Sequence, residues 1–118
     1  MKLARFPFGE KEEKKRETWE PYPGSRIILE VAFTRHNIRR LLAVQTLEIE
    51  GESCEVIRYD SCHGVLHRHL LFDCADAREE LGWPLTKETV HKIKDDLKKH
   101  WRERREKYLK KMKKGDWP

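Results

Sequence analysis

The spacing of apolar residues changes once along this chain, and that change constrains the fold more than any other feature. Between positions 26 and 72 apolar side chains recur at every second residue. Ile27, Leu29, Val31 and Phe33 form one such set, Leu41, Ala43, Leu47 and Ile49 another, and Ile57 with Tyr59 and Leu70 with Phe72 complete the series. A period of two is that of a pleated strand with one buried face. From Val90 onward the period lengthens, and Val90, Ile93, Leu97, Trp101, Tyr108 and Met112 recur at helical spacing.

The first pattern predicts strands over residues 26–34, 39–50, 54–61 and 67–73. Arg35-His36-Asn37 and Glu50-Gly51-Glu52-Ser53 read as turns between them. Short connections favour an antiparallel meander. Residues 76–81 read as one or two helical turns, stopped by Gly82-Trp83-Pro84. The second pattern predicts a helix over 86–114. Thr86 is its N-cap, Leu85 and Val90 form a hydrophobic staple, and Gly115 is the stop. The expected fold class is therefore α+β, a four-stranded antiparallel meander sheet covered on one face by a long C-terminal helix. Such a helix is about 42 Å long, and a sheet of strands of about 6–8 residues spans about 20–27 Å. The last helical turns are thus expected to overhang the body, beginning near Arg104 and Arg105.

The length of 118 residues suits one domain with a small core. Residues 1–24 read as a charged N-terminal arm with a short helix over 12–19, ended by the breakers Pro21, Pro23 and Gly24. Residues 25–118 read as the domain itself. Charged residues make up 40% of the chain, a composition also found in proteins from hot environments, where ion pairs cost less in desolvation. Residues 86–114 hold thirteen Lys and Arg against five Asp and Glu, a net of +8 on a chain whose total is +5. A basic segment on a nearly neutral or acidic body favours an acidic partner: nucleic acid, an acidic protein or an anionic surface. Three cysteines argue against a disulfide framework and for a reduced setting. No window is apolar over the length that a membrane requires, and the N-terminus lacks the apolar run of a signal peptide. A cytoplasmic protein is the expectation.

Residues 58–76, RYDSCHGVLHRHLLFDCAD, gather three of the six histidines, two of the three cysteines and three aspartates. Strand alternation sorts them. If Ile57, Tyr59, Leu70 and Phe72 face the helix, then Arg58, Asp60, His67 and His69 share the opposite face, with Cys62, His63 and Gly64 in the loop above. Three functions fit these residue types. One is acid/base chemistry on a phosphodiester without metal, in which histidines move protons, Asp60 orients one of them and Arg58 or Arg68 stabilises the developing charge. Another is metal binding by His63, His67, His69, Asp60 and Cys62, although no paired-cysteine or H-E-x2-H spacing accompanies them. The last is a buried polar network that fixes the hairpin. The first makes Arg58, Asp60, His63, His67 and His69 the candidate catalytic set, with no cofactor and no metal.

Lys98, Lys99, Arg102, Arg104, Arg105, Lys107, Lys110, Lys111, Lys113 and Lys114 are the candidate phosphate contacts of the basic helix. Pairs such as Glu103–Lys107 and Glu106–Lys110 fit a merely solvated face, but no acidic residue interleaves the run 110–114.

The run RYDSCHGVLHRH resembles the core of a small prokaryotic family of uncharacterised function, in which an Arg-Tyr-Asp strand end leads to a His-Gly loop and a His-Arg pair. It is also distantly similar to the TumE-type toxins of toxin–antitoxin systems. The resemblance covers residues 55–72 and implies that Arg58, Tyr59, Asp60, His63, His67 and His69 are the positions to compare. It implies a small RNA-interacting protein of toxin-like type, a metal-independent ribonuclease whose partners are RNA or an acidic antitoxin. The alternative is a non-catalytic module that docks on RNA, a ribonucleoprotein or a protein through the basic helix.

Overall fold

The segments of period two form strands, and two further segments join them. The structure is a computed structural model that describes residues 11–35, 37–61, 64–72 and 77–113. Along the chain run β1 (Glu13–Tyr22), β2 (Ser25–Phe33), β3 (Ile38–Ile49), β4 (Glu52–Asp60), β5 (Leu66–Leu70), β6 (Ala77–Leu81) and α1 (Lys87–Lys113). All neighbouring strands pair antiparallel, in chain order. The class is α+β and one face carries the helix, but the sheet has six strands rather than the four that alternation predicts.

Both additional strands were hidden by low hydrophobicity. β1 occupies the segment expected as an arm with a short helix. It pairs Lys15, Glu17 and Trp19 with Val31, Leu29 and Ile27, which puts these three on the helix side. There Lys94 of α1 ion-pairs with Glu17 at 3.1 Å, and the Lys94 and Lys98 ammonium groups sit over the Trp19 ring. Contacts with α1 fix this strand where its own pattern could not. β6 has the sequence AREEL, whose residues favour helix, yet five residues are too few to nucleate one alone. Pairing with β5 decides the outcome, and Arg68 and Glu79 lie opposite each other as an ion pair.

The core lies between sheet and helix. Ile27, Leu29, Leu41, Ala43, Ile57, Tyr59 and Leu66 pack against Ile93 and Leu97. The β3–β4 register slips between Gln45 and Thr46, leaving Val56 without a partner. Two consecutive residues, Val56 and Ile57, are consequently both buried. The β3–β4 turn has φ of +52° at Glu50 and +84° at Gly51. Two successive left-handed residues match the right-handed twist of the flanking strands.

Thr86 caps α1 by accepting the Thr89 backbone N–H at 3.2 Å, and Leu85 and Val90 both pack on the core. The overhang does not occur among the described residues. β3 has 12 residues, about 40 Å of strand, so the sheet is as long as the helix. Lys111 donates to the Leu71 carbonyl at 3.0 Å, tying the last turns of α1 to the chain beyond β5. Gly115 lies outside the described residues.

Candidate functional site

Register brings four of the five candidate catalytic residues together. Arg58 lies opposite His69 and Asp60 opposite His67. All four are on the sheet face away from α1, because Tyr59 between Arg58 and Asp60 points to the helix and bonds Asp96. The fifth candidate, His63, lies outside the described residues, as do Cys62 and His36.

Asp60 is the hub. Its Oδ2 accepts from Arg58 Nε at 3.2 Å and lies 3.7 Å from His69 Nε2. Arg58 also donates to Glu55 Oε2 at 2.7 Å. Partial burial alone lowers the Arg58 pKa, but the hydrogen bonds and charges of Glu55 and Asp60 outweigh it and raise that pKa above the ordinary guanidinium value. Two carboxylates thus neutralise this cation, which leaves it a weaker anchor for an external phosphate. His67 is only 9% exposed, and its Nδ1 is buried without a hydrogen-bond partner. Its Nε2 is 3.5 Å from Arg78 Nη2, long for a hydrogen bond. His69, with a side chain 30% exposed, is the accessible imidazole of the two.

An open groove of about 800 Å³ adjoins this cluster. Lys14, Arg16, Arg39, Arg40 and Arg58 line it against Glu30 and Asp60, over Ala32 and Leu42. Its cations are partly spent, since Arg16 pairs with Glu30 at 3.5 Å and Arg40 with Glu12. His67 and His69 are not in its walls. Among the described residues no three His, Cys, Asp or Glu side chains converge to hold a metal ion.

A second polar cluster, which sequence reasoning missed, lies on the other face of the sheet. Tyr59 is fully buried and donates its hydroxyl to Asp96 Oδ2. Arg104 grips both Asp96 oxygens at 2.8 and 3.1 Å. Arg68 reaches the Tyr59 hydroxyl at 3.4 Å and pairs with Glu79. Burial first, and then the Asp96 acceptor, push the Tyr59 phenol up to about 12. Burial works against the Asp96 carboxylate, but hydrogen bonds from Arg104 and Tyr59 hold its pKa below the usual carboxylate range. The signal was a carboxylate immediately before core residue Leu97, and an arginine within the apolar stripe eight residues later.

Arg104, a candidate phosphate contact, is therefore held within the helix by Asp96, the carboxylate that ties α1 to Tyr59. Lys111 ties the helix to the Leu71 carbonyl, and Arg105 lies over the Tyr22 ring. Lys107 sits beside Glu103 and over Phe72. Lys98, Lys99, Arg102, Lys110 and Lys113 are exposed, and Lys114 is outside the described residues. No helix is long and apolar enough to cross a membrane among the described residues.

A family model described as Domain of unknown function (DUF7718) matches residues 10–114. The chain belongs to this family. The match takes in every strand, the helix and both polar clusters, and the family is one of uncharacterised function. No curated protein and no solved structure matches the chain.

Proposed function

We propose that this chain is an RNA-interacting protein that holds the phosphate backbone along the outer ridge of α1. The observation that carries this reading is how the helix divides its cations. Those turned toward the sheet are already engaged: Lys94 with Glu17 of β1, Lys111 with the Leu71 carbonyl, and Arg104 with Asp96 of the helix itself. Lys99, Arg102, Lys110 and Lys113 turn away and stand exposed, and Lys98, exposed as well, marks the β1 edge of the same row, with its ammonium over the Trp19 ring. At 3.6 residues per turn they fall within about a third of the circumference, over about 22 Å of axis. Such a row neutralises phosphates and releases their counterions. An acidic protein such as an antitoxin would meet the same ridge.

Five contacts to a single strand give a log–log salt slope of about −3.5, so affinity falls about 130-fold between 50 and 200 mM salt. Replacing Lys98, Lys99 and Arg102 together by Ala should flatten that slope by about 2. A slope unchanged in the triple variant, measured by fluorescence anisotropy with labelled RNA, removes the ridge from the interface.

One further observation favours catalysis on the opposite face. Asp60 holds both Arg58 and the accessible His69 beside a cation-bearing groove. In a toxin-like, metal-independent ribonuclease, His69 moves the proton, Asp60 orients it and Arg58 meets the developing charge. The similarity of RYDSCHGVLHRH to TumE-type toxins belongs with this reading. Incubation with RNA in EDTA tests it: no cleavage by the unaltered protein, or cleavage that survives His69→Ala, eliminates it.

A further inference from the structure

We propose that Tyr22 is a stacking platform for an unpaired nucleobase, so that the RNA held along α1 is single-stranded. The inference rests on the RNA reading of the ridge and specifies the class of RNA.

Tyr22 is the last residue of β1 and lies at the mouth of the β1–β2 hairpin, where Gly24 turns the chain at φ +83°. At 51% exposure it is the most exposed large hydrophobic among the described residues. Its ring is packed all the same. It forms an offset stack on Trp101, with centroids 6.4 Å apart and planes 25° apart. The Arg105 guanidinium lies 5.2 Å from the Tyr22 centroid, and that of Arg102 lies 5.2 Å from the Trp101 centroid. Two cations and two rings thus meet at one place, on the side of α1 that faces β1. Trp101 anchors the group, since its carbonyl accepts from buried Gln45 at 2.8 Å.

This shoulder adjoins the cationic ridge directly, because Arg102 belongs to the ridge and follows Trp101 in sequence. A strand whose phosphates track Lys98 and Arg102 therefore carries its bases past Tyr22. Aromatic faces and arginine planes receive unstacked bases whatever their identity. In a duplex the π-faces are already stacked within the helix, and the platform has nothing to receive. The charge of the ridge supplies affinity for either form of RNA, and Tyr22 supplies the preference between them.

The test compares a single-stranded oligoribonucleotide with a duplex of equal length, by fluorescence anisotropy over a salt series. The unaltered protein should prefer the single strand. Tyr22→Ala should weaken single-strand binding by about 5- to 150-fold, while duplex affinity and salt slope stay unchanged. Tyr22→Phe should bind as the unaltered protein does. Unchanged duplex binding by Tyr22→Ala also reports that α1 remains in place. Single-strand affinity unchanged in Tyr22→Ala overturns the platform. So does equal loss on both RNAs, which would make Tyr22 a support for the helix rather than for a base. Equal affinity of the unaltered protein for both RNAs, with the salt slope present, discards the platform and keeps the ridge. Binding to neither discards both.

Discussion

Removing the Asp96 carboxylate should loosen α1 from the sheet at the middle of the helix. Asp96 is where three groups meet: it accepts the Tyr59 hydroxyl and both terminal nitrogens of Arg104. Asp96→Ala strands Arg104, whose side chain is 11% exposed, and leaves the buried Tyr59 hydroxyl with Arg68 alone. Breaking a fully buried ion pair from one side costs about 3–5 kcal/mol, and an exposed pair is worth about 0–1. With Asp96 at 23% exposure, the pair lies between these limits, and about 2–3 kcal/mol is expected. For a chain of this size that lowers Tm by roughly 6–15 °C. The assay is urea and thermal unfolding followed by circular dichroism, on Asp96→Ala, Arg104→Met and the double variant. The double variant should cost less than the two single variants together, by at least about 1 kcal/mol. The pH dependence has a definite sign. The folded Asp96 pKa lies below its unfolded value, so its contribution is complete above the unfolded pKa near 4 and fades as pH falls through the folded pKa. The gap between unaltered protein and Asp96→Ala should be flat from neutral pH to about 5 and narrow below about 4. A cost under about 0.5 kcal/mol, or strict additivity with Arg104→Met, would refute this account of how the helix is held.

The same cluster predicts a loss of stability in alkali. Tyr59, pushed up to about 12, contributes fully below its unfolded pKa near 10 and loses that contribution as pH climbs to the folded value, by about 2–3 kcal/mol. Tyr59→Phe should flatten the decline in urea melts taken between those limits, at a neutral-pH cost of about 1 kcal/mol. Thr86→Ala deletes the acceptor for the Thr89 N–H and should cost about 1 kcal/mol, read as a lower urea midpoint with the slope m unchanged.

The central strands and the helix were legible because burial there follows a simple period. Leu41, Ala43 and Leu47 alternate into the core, and Val90, Ile93 and Leu97 recur toward it, so each choice of face was forced. β1 and β6 were not legible, because they are edge strands held by charge and by contact with other elements. Glu17 and Trp19 meet lysines of α1, and Glu79 meets Arg68. A period cannot reveal a partner nearly eighty residues away, as Lys94 is from Glu17 and Lys98 from Trp19. Alternation also put Arg58, Asp60, His67 and His69 on one face correctly, since that needs only the pleat. What it missed was the depth of each residue. His67 is nearly buried while His69 is accessible, because the β5–β6 pairing that flanks them was not foreseen. Arg104 is engaged for a related reason: the partner that claims it, Asp96, lies eight residues away on the same helix, and the apolar stripe does not mark that pairing.

The two surfaces proposed for function lie on opposite faces of the sheet, and that separation constrains any function that uses both. Arg58, Asp60 and His69 occupy the open face of the sheet, while the ridge runs along the outer side of α1, with Lys98 at its β1 edge over the Trp19 ring. One sheet-to-helix spacing and a helix radius lie between them, so a straight path from ridge to histidine is roughly 15–20 Å. A phosphate held by Lys98 is therefore not delivered to His69. If the open face cleaves RNA, its own cations, Lys14 and Arg39 in the groove, must position the substrate. Ridge variants would then change affinity for long RNA while leaving cleavage of a short one intact. If the chain is a binding module, His69→Ala should leave the affinity for every RNA unaltered, whereas the ridge variants lower it for all. A loss of short-RNA cleavage on altering the ridge alone fits neither case. It would require one strand to wrap around the β1 edge of the sheet and touch both faces at once.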